Sequence, residues 1–141
     1  MSQENVEVVQ RMFALANRGD IEGLGALVAQ DIECFPASDE PDSKPFRGRK
    51  AFIEYAQGWL EVFDQYVVEP SEYFDLGEYV VVVGRVTARG RGSGAETAGE
   101  DAWVYRLRDG QVTEYRECAT KARALEAVGL SEPTPARDEN P

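Results

Sequence analysis

Apolar residues recur at three- and four-residue steps near the start of the chain: Val6, Val9, Phe13 and Ala16, with Met12 on the flank. That spacing predicts an amphipathic helix. Ser2 suits its N-cap and Glu4 adds negative charge to the first turn. Asn17-Arg18-Gly19 supplies a stop, because Gly19 takes the left-handed conformation without steric cost. Asp20 then caps a shorter second helix, with Ile21, Leu24, Leu27 and Val28 on one face. Gly23 and Gly25 weaken it, so packing has to compensate. Ile32 to Phe35 reads as a short strand, and Pro36 to Pro45 as a loop. Arg47-Gly48-Arg49 leads into a third helix with Phe52, Tyr55, Ala56, Trp59 and Phe63 along one side.

Near residue 65 the pattern switches to strict alternation, which predicts strands at about 65–75, 78–90, 98–108 and 111–119. Leu76-Gly77, the run from Gly90 to Gly94, and Asp109-Gly110 separate them. Asp109-Gly110 fits a type I′ turn, so the last two strands form a tight hairpin with a defined register. A short helix from Thr120 or Lys121 carries Ala124, Leu125 and Val128, and Gly129 ends it. Helices first and antiparallel strands afterwards predict an α+β domain over residues 1–130. Residues 131–141, with three prolines and several charges, read as a mobile tail.

Composition narrows the chemistry. The 141 residues leave room for one domain. There is no histidine, which removes histidine general bases, histidine-dependent nucleophiles and histidine metal sites. Cys34 and Cys118 have no metal-knuckle spacing and read as buried free thiols. The net charge of −11 opposes nucleic acid or anionic lipid as a general partner. Arg85, Arg89 and Arg91 among glycines read as a solvated hairpin rather than an RNA-binding segment. The polar N-terminus and the absence of a long apolar run point to a soluble cytoplasmic protein, with no membrane partner.

Several motifs in order resemble the NTF2-like superfamily. They are Val8-Val9-Gln10-Arg11, Asn17-Arg18-Gly19-Asp20, Ile32-Glu33-Cys34-Phe35-Pro36, Phe46-Arg47-Gly48-Arg49 and Leu107-Arg108-Asp109-Gly110-Gln111-Val112. The ending Ala124-Leu125-Glu126-Ala127-Val128-Gly129-Leu130 resembles the SnoaL-like branch, related to polyketide cyclases, ketosteroid isomerases and limonene-epoxide hydrolases. The resemblance implies a cone-shaped curved antiparallel sheet, covered by the N-terminal helices and the long third helix. It also implies a deep apolar pocket and a homodimer packed through the sheet.

Fold alone does not give function. By motif alignment Phe35, Met12 and Trp103 stand where ketosteroid isomerases carry a base and two oxyanion donors. Phenyl and thioether groups move no proton, and one indole cannot replace the set. Of the hydrolase set, Arg85-Val86-Thr87 keeps the arginine but not the aspartate, and Glu117 stands near the last-strand acid. The SnoaL-type cyclases use an acid at this last-strand position, so Glu117 is the candidate acid/base, with Tyr115 on the same face; Thr120 is not acidic.

If Trp103, Tyr105 and Leu107 point inward, Tyr115 and Glu117 can do the same. Arg85 then pairs with Glu117 as a catalytic, ligand-orienting or structural partner, since an unpaired buried charge is costly, or else one of the two faces solvent. Met12, Phe35, Tyr55, Trp59, Phe63, Trp103, Tyr105 and Tyr115 are candidate pocket walls, or plain packing. The expectation is a protein that binds a small apolar organic molecule and, if catalytic, isomerises, cyclises or hydrolyses it without a cofactor. The alternative is a non-catalytic ligand carrier or a dimeric adaptor.

Overall fold

The structure is a computed structural model and describes residues 2–37 and 44–130. The expected N-cap side chain of Ser2, most of the expected 36–45 loop and the expected mobile tail at 131–141 lie outside the described residues. The chain runs α1 (Ser2–Asn17), α2 (Ile21–Ala26), β1 (Val28–Phe35), β2 (Phe46–Arg47), α3 (Arg49–Val62), β3 (Phe63–Leu76), β4 (Tyr79–Gly90), β5 (Glu96–Arg108), β6 (Gln111–Glu117) and α4 (Lys121–Ala127).

The strands form one curved, unclosed sheet in the order β2-β1-β6-β5-β4-β3. The α+β architecture is the expected one. The sheet is mixed rather than wholly antiparallel, because β1 runs parallel to β6. The second helix is shorter than its apolar pattern suggests. Leu27 is its C-cap, and Val28 opens β1. Phe63 likewise leaves α3 and begins β3 in extended conformation.

Local signals account for most of the boundaries. Asp20 accepts a hydrogen bond from the Gly23 amide at 2.9 Å, and Thr120 accepts one from the Arg123 amide at 3.2 Å. Each satisfies an orphan donor at a helix start. Asp109 (φ 53°) and Gly110 (φ 78°) make the left-handed pair that a type I′ turn requires. At the other end of the long strands, Arg91 donates to the carbonyls of Leu60, Glu61 and Phe63. A cation there satisfies the last carbonyls of α3 and complements its dipole. Arg89 pairs with Asp64 at 3.1 Å. Arg91 therefore holds the sheet tip to α3, while Arg89 ties β4 to the start of β3.

Both faces of the sheet centre are covered. Val80 and Val82 join Val9, Met12, Phe13 and Leu24 in the main core beneath α1, α2 and α3. Val81 and Val83 pack on the opposite face against Ala124 and Leu125 of α4. The Val80–Val83 run is thus buried on both sides, as expected of a continuous apolar strand. α1 is pinned to β3 by Asn17, whose amide donates to the Val68 carbonyl (2.8 Å) and accepts from the Val68 amide (2.9 Å). β3 bulges at Ser71, between the Pro70–Gly84 and Glu72–Val83 pairs. A Cβ on Gly84 would lie 2.9 Å from the Glu69 carbonyl oxygen, so glycine permits this close crossing.

A second bulge decides the chemistry of the core. The Asp109-Gly110 turn pairs Arg108 with Gln111 and Leu107 with Val112. Continued without interruption, that register would oppose Tyr105 to Glu114. Instead Arg106 pairs with Glu114 and Thr113 is the extra residue. Its hydroxyl donates to the Arg106 carbonyl at 3.2 Å. The shift sets Tyr115 opposite Tyr105 and Glu117 opposite Trp103, all on the inner face.

Candidate functional site

An open-mouthed apolar cavity of about 110 Å³ lies between α1, α2, α3 and the inner face of the sheet. Met12 and Phe13 come from α1, and Leu24 from α2. Phe52, Tyr55 and Trp59 come from α3, spaced so that one helix face points into the cavity. The sheet contributes Tyr66, Val68, Trp103, Tyr105, Tyr115 and Glu117. The rings meet edge-on: Phe13 lies 5.2 Å from Trp103 and 5.8 Å from Tyr105, and Phe52 lies 6.0 Å from Tyr115. Such pairs contribute about 0.5–1.5 kcal/mol each beyond simple burial.

Among the described residues Glu117 is the one carboxylate in this wall. The Tyr55 hydroxyl lies 2.8 Å from each of its oxygens. The Tyr115 hydroxyl donates to Oε2 at 2.7 Å, and the Ala37 amide donates to Oε1 at 3.4 Å. Two opposing influences act on this group. Burial disfavours the charged form, while the hydrogen bonds from Tyr115, Tyr55 and Ala37 favour it. Burial dominates, and the nearby charge of Asp101 adds to it, so the carboxyl titrates above the ordinary carboxylate range. Burial and the Glu117 charge also push the hydroxyls of Tyr105 and Tyr115 well up, so both stay protonated donors.

The structure brings together Met12, Tyr55, Trp59, Trp103, Tyr105, Tyr115 and Glu117 around one cavity. It does not bring in the other three residues named from sequence. Arg85 is exposed and shares the outer face with Val81 and Val83, opposite Glu69 and Glu100 in the strand register. The expected Arg85–Glu117 pair is replaced by tyrosine hydroxyls. Phe35 also faces outward, under the Arg116 guanidinium at 3.9 Å, while its neighbour Cys34 is buried in the main core. Phe63 stacks on Trp59 at 5.3 Å and backs that wall from behind.

Phe13, Phe52, Leu24 and Tyr66 were missed as wall residues. For Phe13 and Phe52 the helical spacing beside Met12 and Tyr55 was the available signal; for Tyr66 it was strand alternation with Val68. Both cysteines are free. Burial, then the charge of Glu117, pushes the Cys34 thiol up to about 12, and Cys118, only half-buried, rises to about 11. Neither is an activated nucleophile. Among the described residues no helix is long and apolar enough to cross a membrane.

Comparison with known proteins places this geometry. The description "SnoaL-like domain" matches residues 9–115. No curated protein matches the chain. Among solved structures, a protein from Jannaschia sp. CCS1 named for SnoaL-like polyketide cyclases is 25% identical, with a TM-score of 0.73, covering 82% of this chain and 84% of that one. TerC, co-crystallised with polyporic acid, is 20% identical with a TM-score of 0.73, over 83% of this chain and 92% of its own. A ketosteroid isomerase-like fold from Catenulispora acidiphila DSM 44928, in complex with trimethylamine, is 18% identical with a TM-score of 0.72, over 92% and 98%. The second and third likenesses show a shared fold alone, whereas the family description covers most of the domain from α1 to β6: the chain belongs to the SnoaL-like domain family.

Proposed function

We propose that this protein binds a small, largely apolar organic molecule in the cavity beneath α3, and that Glu117 is the group that exchanges a proton with it. The observation that carries the reading is one carboxylate in an otherwise apolar and aromatic wall, held by Tyr55 and Tyr115. A carboxyl lifted out of its ordinary range by burial holds and returns a proton nearer neutral pH. The tyrosine hydroxyls fix its orientation and can donate to a ligand oxygen that carries developing charge. Isomerisation, cyclisation and hydrolysis can each use such a group. An apolar cavity of about 150 Å³ holds one benzene ring. The smaller volume here therefore admits at most a single ring unless α3 shifts outward.

Two structural neighbours were crystallised with small organic molecules, polyporic acid and trimethylamine, which supports a ligand-binding use of this fold. Pairing of two copies through the sheet and a cytoplasmic location belong to the same proposal.

The test begins with native and denaturing mass spectra of protein freshly purified from its own host. A releasable small mass supplies the molecule to assay. Glu117→Gln should then keep the fold and the bound mass but lose turnover. Full activity in that variant ends the assignment. A non-catalytic carrier is the second reading, favoured by one observation: both Glu117 oxygens already have protein donors. Binding without any pH-dependent turnover would select it.

A further inference from the structure

The cavity of about 110 Å³ is smaller than the roughly 150 Å³ that holds benzene, so a ring can enter only if part of the wall moves. α3, which roofs the cavity, is fastened unevenly. Its first half is anchored. Phe52 is buried, the Gly48 amide donates to the Ile32 carbonyl at 2.8 Å, and Arg49 donates to the Val28 carbonyl at 3.0 and 3.3 Å. Its second half has no buried residue, although Trp59 and Leu60 line the cavity. Among the described residues, the hydrogen bonds that reach the last turn of α3 from outside the helix come from Arg91. Its amide donates to Val62 at 3.0 Å, and its guanidinium to Glu61 at 3.1 Å and Leu60 at 3.2 Å. Arg91 is itself exposed, in the glycine-rich turn between β4 and β5.

Both ends of this last turn have a weak point. Gly58 precedes it. A Cβ there would meet nothing within 4 Å, so packing does not require glycine, which weakens a helix interior. After it, β3 carries an extra residue, Asp64, between the Phe63–Gly90 and Gln65–Arg89 pairs.

We infer that residues 59–62 form the gate of the cavity, bending outward at Gly58 to admit a ligand and held shut by Arg91. The inference rests on the proposed ligand-binding use of the cavity and adds how that site opens. Segments with little buried surface and exposed hydrogen bonds open at low free-energy cost, and such openings set rates of ligand exchange. Opening parts the Trp59 ring from Tyr66 of β3, which it meets at 5.6 Å. A ring that enters here then presses on Tyr55, about one turn before the bend.

Two variants of the full chain move the gate in opposite directions. Arg91→Ala removes the latch, and Gly58→Ala stiffens the bend. Association and dissociation rates of 3-phenylpropan-1-ol are measured by NMR exchange, and hydrogen exchange is followed at the amides of residues 60–63. Arg91→Ala should speed both ligand rates and the amide exchange about threefold or more, a modest factor because the bonds lost are exposed. The affinity should change less than either rate. Gly58→Ala should slow the same rates about threefold, as the better helix former. A variant that merely loosens the fold could not produce that slowing. Arg108→Ala, an exposed change outside the cavity lining, should alter none of them. Binding at unchanged rates in both gate variants would overturn the gate and leave the cavity's ligand role standing. No binding by the parent protein would overturn both.

Discussion

Tyr55 and Glu117 stand 62 residues apart in the chain, yet the Tyr55 hydroxyl sits 2.8 Å from each oxygen of the Glu117 carboxyl. One belongs to α3 and the other to the last strand, so this contact ties the helix that roofs the cavity to the acid in its wall. A shift of α3 to admit a ligand must therefore loosen a bond that stabilises the charged carboxylate. On the proposed use of the cavity, ligand occupancy and the protonation of Glu117 would be coupled through this hydroxyl.

Removing either tyrosine hydroxyl should raise the Glu117 midpoint further. Tyr115→Phe and Tyr55→Phe each delete a donor that favours the charged form. Carbon-detected NMR of the labelled carboxyl measures the shift directly. A midpoint that falls, or does not move, would contradict the bonding pattern described here.

The same group makes stability depend on pH. Its folded-state pKa is raised, so its contribution is fully present below the ordinary carboxyl value of about 4.3 and is lost as pH rises through the raised value. Glu117→Gln removes that dependence. Urea denaturation of the two proteins from mildly acid to neutral pH should show the difference shifting steadily in favour of the variant.

Gly84→Ala should destabilise the protein by about 1–3 kcal/mol, as overpacking does. Its Cβ would meet backbone atoms of Glu69 and Pro70 rather than a flexible side chain. Urea midpoints measure the loss. Exposed Gly99, whose added Cβ meets nothing within 4 Å, is the comparison, and Gly99→Ala should fall within about 0.5 kcal/mol of the parent.

Asn17→Ala should cost about 1–3 kcal/mol, because both Val68 backbone groups lose a partner in a half-buried place. Hydrogen exchange at the Val68 amide should accelerate more than exchange at Val82, which lies deeper in the sheet. Equal protection before and after the change would contradict the pinning of α1 to β3.

Much of this was legible in the pattern of residues, and the failures have physical causes. The four helices, the long strands and the type I′ turn follow from period, caps and the Asp109-Gly110 pair. The α2 boundary misled because Leu27 and Val28 continue a helical stripe, while strand pairing of Val28 with Val112 captures them for β1. Arg85 and Phe35 were assigned to the wrong face for one reason: alternation says which residues share a side, not which side is inner. The Val81–Val83 face looked as apolar as the Val80–Val82 face, and only α4 packing settles the question. The Thr113 bulge had a visible signal. Val112 and Tyr115 are three residues apart where an unbroken strand needs an even spacing. Without that extra residue Glu114 and Arg116 would face the core in place of Tyr115 and Glu117.

The most direct test of the central claim is the titration of the Glu117 carboxyl in the presence and absence of saturating 3-phenylpropan-1-ol, a neutral single-ring probe. If the cavity binds such molecules beside Glu117, the midpoint must move, because occupancy displaces water and disturbs the Tyr55 contact; both effects penalise the charged form, so the predicted direction is upward. An unchanged midpoint at saturation would mean that the ring binds elsewhere, and that Glu117 is not the proton-handling group of this cavity.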